Sequence, residues 1–202
     1  IHINGQLKKS SISLLTAILF VYIFETTNVY AQDTVLLTFN SPEFKVDYPS
    51  TWEIAPKNST FPYYDSNTIV VLKPVGETNP LNITYLNISP LRIGISFDNT
   101  TQTVSPDTLE DIVAKEIAFL QDPASFYGDL NIEILNNNAT RVDGLPAKEF
   151  SYLILDLGTF DMETIVIHEG KQYQLHFTTP VSKVSETLPA VQQVIKSFKF
   201  NT

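Results

Sequence analysis

The stretch Thr159-Phe160-Asp161-Met162-Glu163-Thr164-Ile165-Val166-Ile167-His168-Glu169-Gly170-Lys171-Gln172-Tyr173-Gln174-Leu175-His176-Phe177-Thr178-Thr179 decides the fold. Two runs rich in β-branched and aromatic residues flank Glu169-Gly170, a two-residue turn signal. Joined by that turn, Val166 faces Tyr173, Thr164 faces Leu175 and Met162 faces Phe177. The opposite face carries Ile165, Ile167, Gln172, Gln174 and His176. One face is apolar and the other only partly so. The pattern predicts a sheet with a helix over its main face and partial cover over the other.

Working outward, Asp143-Gly144 is a second tight-turn signal, between 140–142 and 147–156. Further strands are expected at 34–39, 44–48, 52–55, 68–74, 81–89 and 131–135, with Asn136-Asn137-Asn138 as a loop. Two helices interrupt the strands. The first is expected to start near Ser105-Pro106, with Ser105 as cap and Pro106 preset for the first helical position. Its stripe is Leu109, Ile112, Val113, Ile117 and Leu120, and Asp122-Pro123 ends it. The second has Ser185 as a plausible cap, Pro189 in the first turn, and the stripe Leu188, Val191, Val194, Ile195 and Phe198. Both stripes read as core.

The amino-terminal segment carries an address. Lys8 and Lys9 precede an apolar run over 12–24, and Val29-Tyr30-Ala31 supplies small residues before Gln32. That is the layout of a secretory signal, and the run is shorter than the ~20 residues that span a bilayer. The expected organisation is a signal peptide over 1–31 and one domain over 32–202, exported to the cell envelope or the exterior. An uncleaved signal would leave it membrane-anchored instead.

The chain has no cysteine, so disulfides, thiolate metal sites and cysteine nucleophiles are excluded. It must rely on packing, which an aromatic content of 11% supports. The net charge of −9 argues against binding nucleic acid and disfavours anionic membranes. Solubility is the bland reading of that charge, and a surface for a cation or basic partner the functional one. Asn58, Asn82, Asn87, Asn99 and Asn138 each open an Asn-X-Ser/Thr triplet, an acceptor for glycan in an exported protein. Chance matches in an Asn-, Ser- and Thr-rich chain weigh about equally against glycosylation.

No catalytic constellation emerges. There is no G-x-S-x-G elbow, no phosphate-binding glycine loop, and no calcium-loop spacing at Asp98-Asn99-Thr100 or Asp161-Met162-Glu163. No catalytic, cofactor-binding or metal-ligating residue is assigned, and no cofactor is expected. His168 and His176 are the only imidazoles beyond the signal. The predicted turn sends them to opposite faces, against a shared metal. His176 is expected to oppose Glu163 as a cross-strand pair at the surface.

Several segments resemble PsbP-like domains. These are Phe44-Lys45-Val46-Asp47-Tyr48-Pro49-Ser50-Thr51-Trp52-Glu53-Ile54, the hairpin Arg141-Val142-Asp143-Gly144-Leu145-Pro146-Ala147-Lys148-Glu149-Phe150, the turn Glu169-Gly170-Lys171-Gln172-Tyr173-Gln174-Leu175, and the terminal Leu188-Pro189-Ala190-Val191-Gln192-Gln193-Val194-Ile195-Lys196-Ser197-Phe198-Lys199-Phe200. Their order spans most of 44–200. The resemblance implies an α+β fold, an antiparallel sheet flanked by helices in an α-β-α arrangement, shared by PsbP and the Ran-binding Mog protein. No photosystem-specific segment is matched, so that role does not carry over. With the empty motif search, the resemblance leads to an exported non-catalytic binding or assembly module. Its expected partner is an unidentified envelope or extracellular protein, with no stable membrane insertion after signal cleavage. The alternative is an exported hydrolase with a site near His168 or His176.

Overall fold

The computed structural model describes residues 35–57, 67–78, 84–90 and 108–201. The proposed signal and its cleavage point lie outside the described residues, as do Ser105-Pro106 and the triplets at Asn58, Asn82 and Asn99.

The long hairpin forms in the expected register. Strands β8 (Thr159–His168) and β9 (Lys171–Pro180) pair Val166 with Tyr173, Thr164 with Leu175 and Met162 with Phe177. Glu169 and Gly170 both take positive φ, 49° and 73°, as the tight turn of a twisted hairpin requires. Asp143 and Gly144, at 51° and 76°, do the same between β6 (Ile132–Val142) and β7 (Leu145–Ile154).

The other strands are β1 (Leu36–Asn40), β2 (Phe44–Pro49), β3 (Trp52–Ile54), β4 (Val70–Pro74), β5 (Tyr85–Pro90) and β10 (Lys199–Phe200). They build two antiparallel sheets, one ordered β1-β2-β10 and a seven-stranded one ordered β3-β4-β5-β9-β8-β7-β6. Helix α1 (Leu109–Gln121) packs Ile112, Val113 and Leu120 on Phe150, Tyr152, Ile154 and Ile165 of the large sheet. Helix α2 (Val184–Ser197) lies mainly against β2 and also touches β9. Its Thr187 approaches Thr179, on the sheet face opposite Ile165. The described fold is therefore two antiparallel sheets with two helices, and α2 is shared between the sheets rather than laid wholly on the larger one.

The junction between the sheets is aromatic. Phe198 stacks on Phe44 at 4.7 Å and meets Phe200 at 4.9 Å, and Phe200 meets Tyr173 at 5.0 Å. Ser197 Oγ accepts from the Asp47 amide at 2.8 Å, stitching α2 to β2. Trp52 and Phe198 are both buried. Among the described residues no helix is long and apolar enough to cross a membrane.

Three local expectations are corrected. Helix α1 is capped by Thr108 rather than Ser105. Thr108 Oγ1 accepts from the Asp111 amide, and Asp111 returns a bond to the Thr108 backbone, a reciprocal cap stronger than a lone serine. The run Asn136-Asn137-Asn138 is strand, not loop. The register shifts between Ile134 and Asn136, and the three asparagines then pair with Ser151, Phe150 and Glu149. A long partner strand supplies hydrogen bonds that local propensity does not. Helix α2 starts at Val184, after a 3-10 turn over Val181–Lys183, with no side-chain cap. Ser185 is thus inside the helix, and Pro189 lies beyond the first turn.

Candidate functional site

The face of the large sheet beneath α1 changes character across its width. On the β7 side it is apolar. Towards β9 and β5 it becomes a polar network built by strand alternation from Asp161, Glu163, Gln174, His176, Thr178 and Tyr85. Asp161 and Glu163 are 3% and 4% exposed. Glu163 accepts from the Tyr152 hydroxyl at 3.0 Å and from the Gln174 amide. His176 Nε2 lies 3.1 Å from Asp161 Oδ1, and Thr178 Oγ1 donates to that same oxygen at 2.6 Å. Thr178 Oγ1 is also 3.1 Å from the Tyr85 hydroxyl. Asp161 Oδ2 is buried without a hydrogen-bond partner among the described residues.

His176 therefore opposes Glu163 in register, as the hairpin predicts, but the two are not a surface pair. Glu163 is enclosed, and the imidazole bonds diagonally to Asp161 instead. The sheet continues on both sides of the hairpin and α1 lies over part of it, so positions that alternation alone leaves open are covered.

Glu116 completes the cluster. It is half-buried on α1, between the core residues Val113 and Leu120. Burial, reinforced by the Glu163 charge, pushes its carboxyl up to about 7. Burial also raises Glu163, against the lowering pull of His176, Gln174 and Tyr152. For His176, burial disfavours the cation, but the Asp161 hydrogen bond and the charges of Glu163, Asp161 and Glu116 outweigh it. The imidazole is held above its ordinary value. Burial and the neighbouring Glu163 and Asp161 charges drive the Tyr152 phenol far up. Within the cluster, Glu116, Glu163 and His176 each hold a proton more tightly than they would in water.

His168 is on the other face, as expected. Its ring stacks on Phe200 at 4.0 Å, so it serves the aromatic junction. Among the described residues no group of three or more His, Asp or Glu is placed to hold a metal ion. Asn138 is exposed on β6, while Asn87 is half-buried in β5 with its amide 3.5 Å from Thr68 Oγ1. Sequence reasoning missed Glu116 and Tyr152 as members of the network. The position of Glu116 within the α1 core stripe was the available signal.

The model of a family described as PsbP-like protein matches residues 23–200. No curated protein matches. Among solved structures, cyanobacterial PsbP from Synechocystis sp. PCC 6803 is similar with a TM-score of 0.53 at 17% identity, covering 86% of this chain and 96% of that one. A Pseudomonas aeruginosa protein of unknown function is similar with a TM-score of 0.48 at 13% identity, covering 80% and 94%. LpqN, involved in cell envelope biogenesis of Mycobacterium tuberculosis, also gives 0.48 at 13% identity, covering 86% and 95%.

Proposed function

The chain belongs to the PsbP-like family, and on that premise we propose that it is an exported, non-catalytic binding or assembly module acting on an envelope or extracellular protein. Export rests on the basic residues, short apolar run and small-residue site of the first 31 positions. Of the described sequons, Asn138 is the one whose exposure suits an attached glycan.

The observation that carries the non-catalytic reading is the self-satisfied state of His176. Its Nε2 is engaged by Asp161 Oδ1 at 3.1 Å, with Thr178 Oγ1 3.3 Å away. The nearest hydroxyl already gives its proton to the same carboxylate. A hydrolase needs a base aimed at a nucleophile that is itself free to attack. Here the imidazole and the Thr178 hydroxyl both meet one Asp161 oxygen, an arrangement that ties β9 to β8.

The test uses the full chain and the variants His168→Ala and His176→Ala, singly and together. We expect a folded double variant that captures the same envelope partners as the wild type. Turnover of an ester, peptide or glycoside by the wild type, lost in a folded double variant, would replace the binding reading with the hydrolase one.

A further inference from the structure

A hollow of about 680 Å³ lies between the first turn of α1 and the β6–β7 hairpin. It contains no histidine and none of the network around Asp161. Its apolar lining includes Leu109, Ala139 and Pro146, and its charged lining is Arg141, Lys148 and Lys196 against Glu110. Three cations to one acid is an unusual local balance in a chain of net charge −9.

The treatment of those cations sets the hollow apart. Lys183 meets Glu77 at 2.8 Å, Lys199 meets Asp143 at 2.8 Å, and Lys73 is tightly paired with Glu53. Lys148 is more enclosed than Lys183 or Lys199, its side chain 15% exposed, yet its ion-pair partner is Glu110 at 3.6 Å, beyond hydrogen-bond length. Glu110 itself is 71% exposed and so held mostly by water. An ammonium has three donors, and enclosing it without close acceptors is unfavourable. Arg141 gives one N–H to the Gly144 carbonyl at 2.7 Å, which orients the guanidinium and leaves most of its fork unused. Lys196, in the last turn of α2, has no carboxylate partner among the described residues. Its place near the negative helix end accounts for Lys196. That effect does nothing for Lys148.

We infer that this hollow binds a small organic anion, a single carboxylate or phosphate head on an apolar body. The head would sit between Lys148 and Arg141, which share the α1 face, and the body against Leu109, Ala139 and Pro146. The volume falls within the ~300–1,000 Å³ typical of small-molecule pockets. The acidic field of the whole chain repels polyanions and leaves a compact, singly headed ligand as the one that fits.

The experiment follows backbone amide shifts of the full chain during titration with phenyl phosphate and with benzoate. Inorganic phosphate and benzyl alcohol serve as the head-only and body-only controls. Shifts should localise to 139–141, 147 and 148 with a Kd of about 1 mM or below for at least one aromatic anion. Each control alone should bind more weakly. Lys148→Met should weaken binding about fivefold or more, the upper range for an exposed ion pair. Arg141→Gln, at an exposed side chain, should weaken it too. Four results would each overturn the inference. They are no shift at those amides, equal binding of inorganic phosphate, equal binding of benzyl alcohol, or unchanged affinity in both folded variants. None of these bears on capture of a protein partner, so the binding-module reading stands or falls separately.

Discussion

The two faces of the β8–β9 hairpin show one backbone put to two uses. On the α2 side, Met162, Val166, Tyr173, Leu175 and Phe177 are buried and apolar, and packing does the work. On the α1 side, Asp161, Glu163, Gln174 and His176 occupy equivalent positions, and α1 reaches over them with Glu116 among its core residues. The first face is stable because it removes hydrocarbon from water. The second carries groups whose burial is unfavourable unless they share protons and hydrogen bonds. The first should therefore be indifferent to pH, whereas the second should respond to it.

The largest expected effect is on the apolar side. Phe198→Ala removes a fully buried ring from the stack with Phe44 and Phe200. Chemical denaturation should register a loss of ~3–5 kcal/mol, nearly the same at acid and neutral pH. A loss within ~0.5 kcal/mol, the range of surface substitutions, would break the comparison on this side.

The next effect belongs to the α1 side and concerns pH. Glu116, Glu163 and His176 all have folded-state values above their ordinary ones. Each binds its proton more tightly when folded, so folding takes up protons and stability falls as pH rises. For Glu116 the fall runs from its ordinary 4.5 up to about 7. Asp143 and Asp156 are lowered, the first chiefly by its Lys199 hydrogen bond and the second chiefly by Asn131. Their contribution is lost at the acid end, as pH falls through their folded values. The unfolding midpoint should thus be highest under mildly acidic conditions. Glu116→Gln should flatten the decline towards neutrality, and a variant with the wild-type slope would show that α1 does not carry the coupling.

A smaller effect separates the two histidines. His168→Ala loses one ring stack at the aromatic junction, for which ~0.5–1.5 kcal/mol is expected from thermal or denaturant unfolding. His176→Ala should alter the slope of stability between acid and neutral conditions, because its imidazole is held above its ordinary value. A wild-type slope in His176→Ala would remove the imidazole from the coupling on the α1 face.

The smallest effect tests how α1 is anchored. Thr108→Ala removes a cap at an exposed helix start and should cost about 1 kcal/mol, seen first as faster amide exchange in the opening turn. Unchanged exchange there would mean that packing alone sets the helix boundary.

Local chemistry carried much of this into the sequence. The cross-strand partners of the long hairpin follow from a side-chain period of two, and its turn from a Glu-Gly pair taking positive φ. The stripe of α1 follows from the helical period. These features rest on residues close in the chain, so they can be read without the rest of the molecule. Where competing local signals were of similar strength, the reading failed. Ser105 and Thr108 both suit a helix cap, and only Asp111 at the right spacing returns the bond. Three consecutive asparagines favour a loop until β7 offers them partners.

The sequence by itself determined the hairpins, their faces and the absence of cysteine chemistry. Tertiary structure decided which strands became neighbours, placing β5 beside β9 and β10 beside β2 across long stretches of chain. It also decided that Asp161 and Glu163 are enclosed rather than at the surface, and that Glu116 joins them. The physical reason is that alternation assigns a side chain to a face, whereas burial depends on what covers that face. Cover comes from distant segments, whose arrival no local period encodes.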